Sequence, residues 1–278
     1  MDAEPVALPQ PRTPAGRAGL AALVDRPDRS LVALDFDGTL SPIVADPTAS
    51  RIAPGGLDAL RALAGAVGRV AILTGRPAAT VVELGGLDGV PRLLVEGQYG
   101  AEHWYQGRLE VPEPPAGLDA VRAALPAILS GADPGVHVED KRLALGVHTR
   151  RAADPDGALA ALAAPVGELA RAHGLTVSPG RYVLEIRAPG EDKGRTLARL
   201  AADLGPAAVL YAGDDLGDLP AFDTVEALRR DGVDGLTVCS ASREAPEVAA
   251  RADLVVDGPA GVVAVLAGLA VAAGVTPA

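Results

Sequence analysis

The sequence predicts an α/β protein, a parallel sheet with helices on both faces, interrupted by a smaller α+β insertion. Three observations predict it: a buried-strand pattern that ends in a carboxylate, its alternation with helix-spaced segments, and a change of rhythm near residue 101. Residues 30–36 (SLVALDF) are a continuous apolar run broken by Asp35, the pattern of a strand covered on both faces. A proline-rich leader and a helix over 15–24 precede it. Leu57, Leu60, Leu63, Ala64 and Val67 then recur at helical spacing behind Pro54-Gly55-Gly56. Residues 70–74 (VAILT) form a second buried strand, closed by Gly75-Arg76-Pro77, and a helix over 78–85 and a strand over 93–96 continue the alternation. This βαβαβ order calls for a parallel sheet between helical layers.

Residues 102–109 then resemble a hairpin, in which Trp104 and Tyr105 serve packing or, as the second reading, stack on a ligand ring, and Pro112, Pro114 and Pro115 read as a linker. Strands over 136–141 and 143–149, a helix over 155–173 and a hairpin over 175–188 around Pro179-Gly180 make up the insertion. After Pro189-Gly190 the parallel rhythm resumes: helix 192–204, strand 207–212, helix 218–230, strands 236–240 and 253–256, and a terminal helix. The predicted organisation is a discontinuous core over 1–109 and 189–278 around an α+β domain over 110–188.

Composition narrows the function. Hydrophobic residues make up 49% of the 278, enough for a sizeable core. Acids outnumber bases 36 to 25, a net charge of −11, which argues against a nucleic-acid partner. The single cysteine, Cys239, cannot close an internal disulfide, so nothing calls for an oxidising compartment. The acidic N-terminus lacks the features of a signal peptide. The apolar run over 260–275 is shorter than the roughly 20 residues a membrane span needs. A cytoplasmic monomer free of membranes is expected. Lysine occurs only at Lys141 and Lys193 among 25 basic residues, so those two positions are candidates for a need for an ammonium group.

Ligand sites of parallel sheets lie at the carboxyl ends of the strands. Three polar clusters fall there: Asp35-Phe36-Asp37-Gly38-Thr39, Thr74-Gly75-Arg76, and Gly213-Asp214-Asp215; Lys193-Gly194 opens the helix after the insertion. Several carboxylates on one crevice need a cation, and a hard oxygen-liganded ion such as Mg²⁺ suits them and commonly shares its shell with phosphate. A lysine and a helix N-terminus suit a phosphate as well. The four histidines have no metal-ligand spacing, and Cys239 lies in a buried-strand pattern.

These residues resemble the haloacid dehalogenase-like phosphatases, which have a Rossmann-like hydrolase core with an inserted cap. Within them the resemblance is to the trehalose-6-phosphate phosphatase family. It is carried by residues 35–44 (DFDGTLSPIV), 73–77 (LTGRP), 97–102 (GQYGAE), Val138 to Lys141 with His148 to Arg150, 183–187 (VLEIR) and Gly213 to Phe222. Two departures are visible: Gly217 and Leu219 replace a Thr and a Glu, and Tyr99 stands where His is common.

The resemblance implies a Mg²⁺-dependent phosphatase acting on a small-molecule sugar phosphate, trehalose 6-phosphate, through an aspartyl-phosphate. Asp35 would be the nucleophile and Asp37 the general acid/base. The metal would sit on Asp35, the Asp37 main-chain carbonyl and Asp214, with Asp215 and Asp218 orienting its waters. Thr74, Gly75 and Lys193 would bind the phosphoryl oxygens. Arg76 and the insertion residues Glu139, Lys141, Arg150 and Glu185 would bind substrate. The alternatives are a phosphatase of another sugar phosphate, of the sucrose-phosphate or mannosylglycerate-phosphate type, or a catalytically dead sensor.

Overall fold

The structure, a computed structural model, describes residues 8–44, 46–180, 182–241 and 246–275. The chain divides into two compact units, Met1–Glu110 with Asp192–Ala278, and Val111–Glu191. In chain order the first unit contains α1 (Pro14–Asp25), β1 (Ser30–Leu34), α2 (Gly56–Ala66), β2 (Arg69–Leu73), α3 (Ala78–Gly85), β3 (Leu93–Gly97), β4 (Glu102–Tyr105) and β5 (Arg108–Glu110). The second unit holds α4 (Leu118–Leu129), β6 (His137–Asp140), β7 (Leu145–His148), α5 (Pro155–Ala172), β8 (Thr176–Gly180) and β9 (Val183–Arg187). The chain then returns to the first unit with α6 (Lys193–Leu204), β10 (Ala208–Gly213), α7 (Leu219–Arg230), β11 (Asp234–Ser240), α8 (Pro246–Arg251), β12 (Leu254–Val256) and α9 (Gly258–Ala272).

Among the described residues the first unit's sheet runs β12-β11-β10-β1-β2-β3-β4-β5. It is parallel from β12 to β3, and the β4–β5 hairpin adds antiparallel to β3. Side chains alternate across each strand. On one face Val32, Leu34, Val70, Ile72, Leu210 and Leu236 pack with Leu20, Leu60, Leu63 and Leu266 from α1, α2 and α9. On the other, Leu31, Ala33, Leu73, Val209 and Tyr211 pack with Leu197, Phe222 and Val225 from α6 and α7. Burial on both faces explains why these strands read as unbroken apolar runs. Trp104 is buried on the first face, while Tyr105 accepts a hydrogen bond from Arg69 at 3.0 Å. α9 presents Val262, Val265, Leu266 and Leu269 to the core, and no helix among the described residues is long and apolar enough to cross a membrane.

The second unit is an antiparallel sheet, β6-β7-β9-β8, with its own core of Leu118, Val121 and Leu125 from α4, Leu162 and Val166 from α5, and Leu145, Val147, Leu184 and Ile186 from the strands. Two helices were not expected from the sequence. α4 carries Pro126 in its interior and follows a run of prolines, which hides the 118-121-125 spacing of its buried face. α8 is a six-residue turn of helix with one buried side chain, Val248. The second hairpin also departs from expectation. Pro179-Gly180 ends β8, and the chain reverses beyond it, with Tyr182 at φ 57°.

Candidate active site

β1 has neighbours from opposite directions of the chain, β2 on one side and β10 on the other, so the crevice at their carboxyl ends is a topological switch point. Asp35 follows β1 directly, its N–H still donating to Ala212 of β10 at 2.9 Å. Asp214 follows β10. Between these strand ends the main chain must pass closely, and Gly38 makes that possible. Its φ is +84°, and a Cβ there would stand 2.1 Å from Asp214 Oδ2.

Lys193, the first residue of α6, inserts its ammonium between two carboxylates. Nζ donates to Asp35 Oδ1 at 2.7 Å and to Asp218 Oδ1 at 2.7 Å, and all three residues are buried. Asp218 is saturated: Oδ1 also accepts from the Tyr211 hydroxyl at 2.6 Å, and Oδ2 accepts from the N–H groups of Asp214 and Asp215 at 2.9 and 3.1 Å. Asp215 and Asp218 cap each other's backbone in a reciprocal box, and Gly217 N–H donates to Asp215 Oδ1 at 2.9 Å. The segment holding the first departure, Gly217 and Leu219, is therefore a capped turn leading into α7.

Charge explains the proton affinities. Burial, then the neighbouring Asp218 and Asp214, pushes Asp35 well above the usual carboxylate range, against the pull of Lys193. Burial with Asp218 and Asp215 raises Asp214 to about 8, and burial with Asp218 raises Asp215. Asp218 goes the other way: burial would raise it, but the Lys193 ammonium and the hydrogen bonds it accepts hold it low. For Lys193 the burial penalty is outweighed by Asp218 and Asp35, and its value rises. Carboxylate oxygens of Asp35, Asp214 and Asp218 lie within 4.8 Å of one another. Three buried acids facing one ammonium fit an added divalent cation, whose charge would reverse the upward push on Asp35 and Asp214.

The neighbouring loop is built from the ends of β2 and β3. Thr74 N–H donates to Glu96 O at 3.0 Å, Tyr99 N–H to Thr74 O at 2.9 Å, and Arg76 N–H to the Thr74 hydroxyl at 3.1 Å. Gln98, Tyr99 and Gly100 all have positive φ (46°, 61° and 100°), a turn held by Thr196 Oγ1 donating to Tyr99 O at 2.7 Å. Tyr99 is thereby laid against Gly75, where a Cβ would come 2.7 Å from its hydroxyl oxygen.

Arg76, expected on substrate, spans the Asp37 carboxylate: Nε donates to Oδ2 at 2.6 Å, Nη2 to Oδ1 at 2.7 Å, and Nη1 to Pro47 O at 2.9 Å. Asp37 is thus paired with Arg76 and is not part of the close set Asp35, Asp214 and Asp218. Nothing in the sequence pattern marks Tyr211 or Ser50: the first sits in an apolar strand and donates to Asp218, the second in a loop and donates to Asp37, 13 residues away.

In the second unit, strand register puts Glu139, Gly146, Glu185 and Ser178 in one row across the sheet. Lys141 Nζ donates to Glu185 Oε2 at 3.1 Å, and Glu139 Oε2 meets His148 Nε2 at 2.9 Å. Arg150 lies over the Tyr182 ring, 5.3 Å from its centroid. The four residues expected to read a sugar thus belong to the polar side and rim of this sheet.

Comparison with known proteins agrees with this architecture. The C-terminal domain of Candida albicans trehalose-6-phosphate phosphatase superposes with a TM-score of 0.72 over 97% of this chain and 99% of that one, at 22% identity, a likeness of fold. A haloacid dehalogenase-like hydrolase from Bacteroides thetaiotaomicron superposes with a TM-score of 0.60 over 85% of this chain and 98% of that one, at 18% identity. Together the sheet order and the acidic strand ends define a fold of the haloacid dehalogenase-like class. Residues 33–257 match the trehalose-phosphatase family, and the chain belongs to it. A trehalose-phosphate phosphatase of Mycobacterium tuberculosis is 38% identical over 210 residues, 70% of this chain and 51% of that protein. The chain spans about half the length of the curated relatives it matches.

Proposed function

We propose that the chain hydrolyses trehalose 6-phosphate to trehalose and phosphate through a phosphorylated Asp35. The observation that carries the reading is the meeting of Asp35, Lys193, Asp214 and Asp218 at the β1–β10 switch point. Membership of the trehalose-phosphatase family supports the choice of substrate.

An Asp35 oxygen would bond to phosphorus as the bond to the sugar oxygen breaks, and Asp37 would give that oxygen its proton. Water would then attack phosphorus and pass a proton to Asp37, and phosphate would leave with Asp35 regenerated. Lys193, the Thr74 hydroxyl and the Gly75 N–H would hold the phosphoryl oxygens, since such transfer asks mainly for positioning and charge neutralisation. Mg²⁺ bound by Asp35, Asp214 and the Asp37 main-chain carbonyl, with Asp215 and Asp218 behind them, would supply the positive charge that keeps Asp35 ionised and offsets charge on the phosphoryl group. Arg76 would bind substrate and orient Asp37.

Residues Glu139, Lys141, Arg150 and Glu185 would read sugar hydroxyls, making Val111–Glu191 the specificity domain, because polar side chains discriminate hydroxyls where apolar ones cannot. The reading includes a cytoplasmic monomer.

Phosphate release from trehalose 6-phosphate is expected to vanish in chelator and return with Mg²⁺. Asp35→Asn is expected to lower it by at least about 10³-fold, and mass spectrometry of quenched turnover should find phosphate on Asp35. Full turnover in chelator, a label elsewhere, or equal kcat/KM on unrelated monosaccharide phosphates would each refute the reading.

A further inference from the structure

Asp37 has a second partner besides Arg76. Ser50 Oγ donates to Asp37 Oδ1 at 3.3 Å, and behind it Ser41 Oγ lies 2.6 Å from Ser50 Oγ. Both serines are fully buried, at 0% exposure, whereas the Asp37 side chain is 36% exposed. The hydroxyl pair is itself fixed. Ser41 N–H donates to Phe36 O at 2.9 Å and its carbonyl accepts from Gly38 N–H at 2.7 Å, which ties it beneath the loop that carries Asp37. Ser50 follows the short 3₁₀ turn Pro47–Ala49, which Asp46 caps through Thr48 N–H at 3.0 Å. Arg76 Nη1 holds Pro47 O, and Arg51 Nη1 holds Ser50 O at 2.7 Å.

The two partners of Asp37 differ in kind. A guanidinium can only donate, whereas a hydroxyl can donate or accept. With Ser41 Oγ 2.6 Å behind it, the Ser50 hydroxyl is itself anchored where it meets Asp37 Oδ1.

We propose that Ser50, backed by Ser41, is a positioning residue that holds the Asp37 carboxylate in the orientation for proton exchange with the leaving sugar oxygen. This rests on the acid/base reading of Asp37. Arg76 grips both oxygens of the partly exposed Asp37 carboxylate, and the buried Ser50 hydroxyl adds a third hydrogen bond on Oδ1, so the group is held from the side of the 47–50 turn as well as from Arg76.

The test uses kcat/KM, which reports steps up to phosphoryl transfer, on trehalose 6-phosphate and on p-nitrophenyl phosphate, whose leaving group needs little protonation. Ser50→Ala should lower kcat/KM for trehalose 6-phosphate about tenfold, the scale of one lost hydrogen bond to a charged group, and that for p-nitrophenyl phosphate less than twofold. Ser41→Ala should show the same selectivity with a smaller loss, and Ser50→Ala should add nothing in an Asp37→Asn background. Equal losses on both substrates would mean a collapsed loop and would overturn the proposal, as would a further tenfold loss in the Asp37→Asn background. An intact Ser50→Ala enzyme beside an impaired Asp37→Asn enzyme overturns the proposal alone. An Asp37→Asn enzyme with undiminished kcat/KM on trehalose 6-phosphate overturns the acid/base reading, and the proposal with it.

Discussion

Lys193 shows how much one ammonium can organise. It is 5% exposed, bridges Asp35 and Asp218, and belongs to a chain that otherwise uses arginine almost throughout. A compact, three-donor group fits between two carboxylate oxygens at 2.7 Å each, whereas a guanidinium fork is planar and larger. Lys193→Met should therefore cost about 3–5 kcal/mol of stability in metal-free protein, the usual penalty for stranding a buried charge. Lys193→Arg should recover little turnover. Urea melts and phosphate release check the two statements; a Lys193→Met protein as stable as the parent would refute the first. The scarcity of lysine made this residue legible in the sequence. Its partner Asp218 was legible as an acid but not as the saturated brace of the cluster, because Tyr211, which completes it, lies in an apolar strand.

At the scale of elements, β3, β4 and α6 are joined by one buried acid. Glu96 Oε2 meets His103 Nδ1 across the β3–β4 pair at 2.6 Å and accepts from Arg199 of α6 at 2.7 Å, with Glu110 of β5 also contributing field. The hydrogen bond to Glu96 raises His103 above its ordinary 6.5, against the burial penalty and Arg199. A raised value in the folded state means stability that is whole below pH 6.5 and lost as pH rises through the raised value. His103 is half-buried and its side chain is 40% exposed, so solvent screening keeps the contribution below about 1 kcal/mol. The stability difference between the parent and His103→Gln should shrink from pH 6 to pH 9; a difference constant over that range would refute the link. The strands that end in site residues were readable because burial on both faces leaves them no polar side, so each carboxylate or threonine stood out at a strand's end. α4 was not, since Pro126 interrupts the helical pattern that Leu118, Val121 and Leu125 complete.

At the scale of the molecule, the second unit is a continuous segment with its own core, while the first is assembled from both sides of it. Val111–Glu191 alone should fold and melt cooperatively, because Leu145, Val147, Leu184 and Ile186 already have α4 and α5 to cover them. Far-ultraviolet dichroism through a thermal melt checks this, and a featureless transition would refute it. The pairing of β1 with β10 has a consequence for biosynthesis. Ser30 lies opposite Ala208, so at about 5–20 residues per second a ribosome extends the chain for about 10–35 s before the partner of that central strand emerges. Until then one flank of β1 is a raw edge, and the inserted segment, whose last residue Glu191 precedes Ala208 by about 1–3 s of synthesis, is made whole before the main sheet can close.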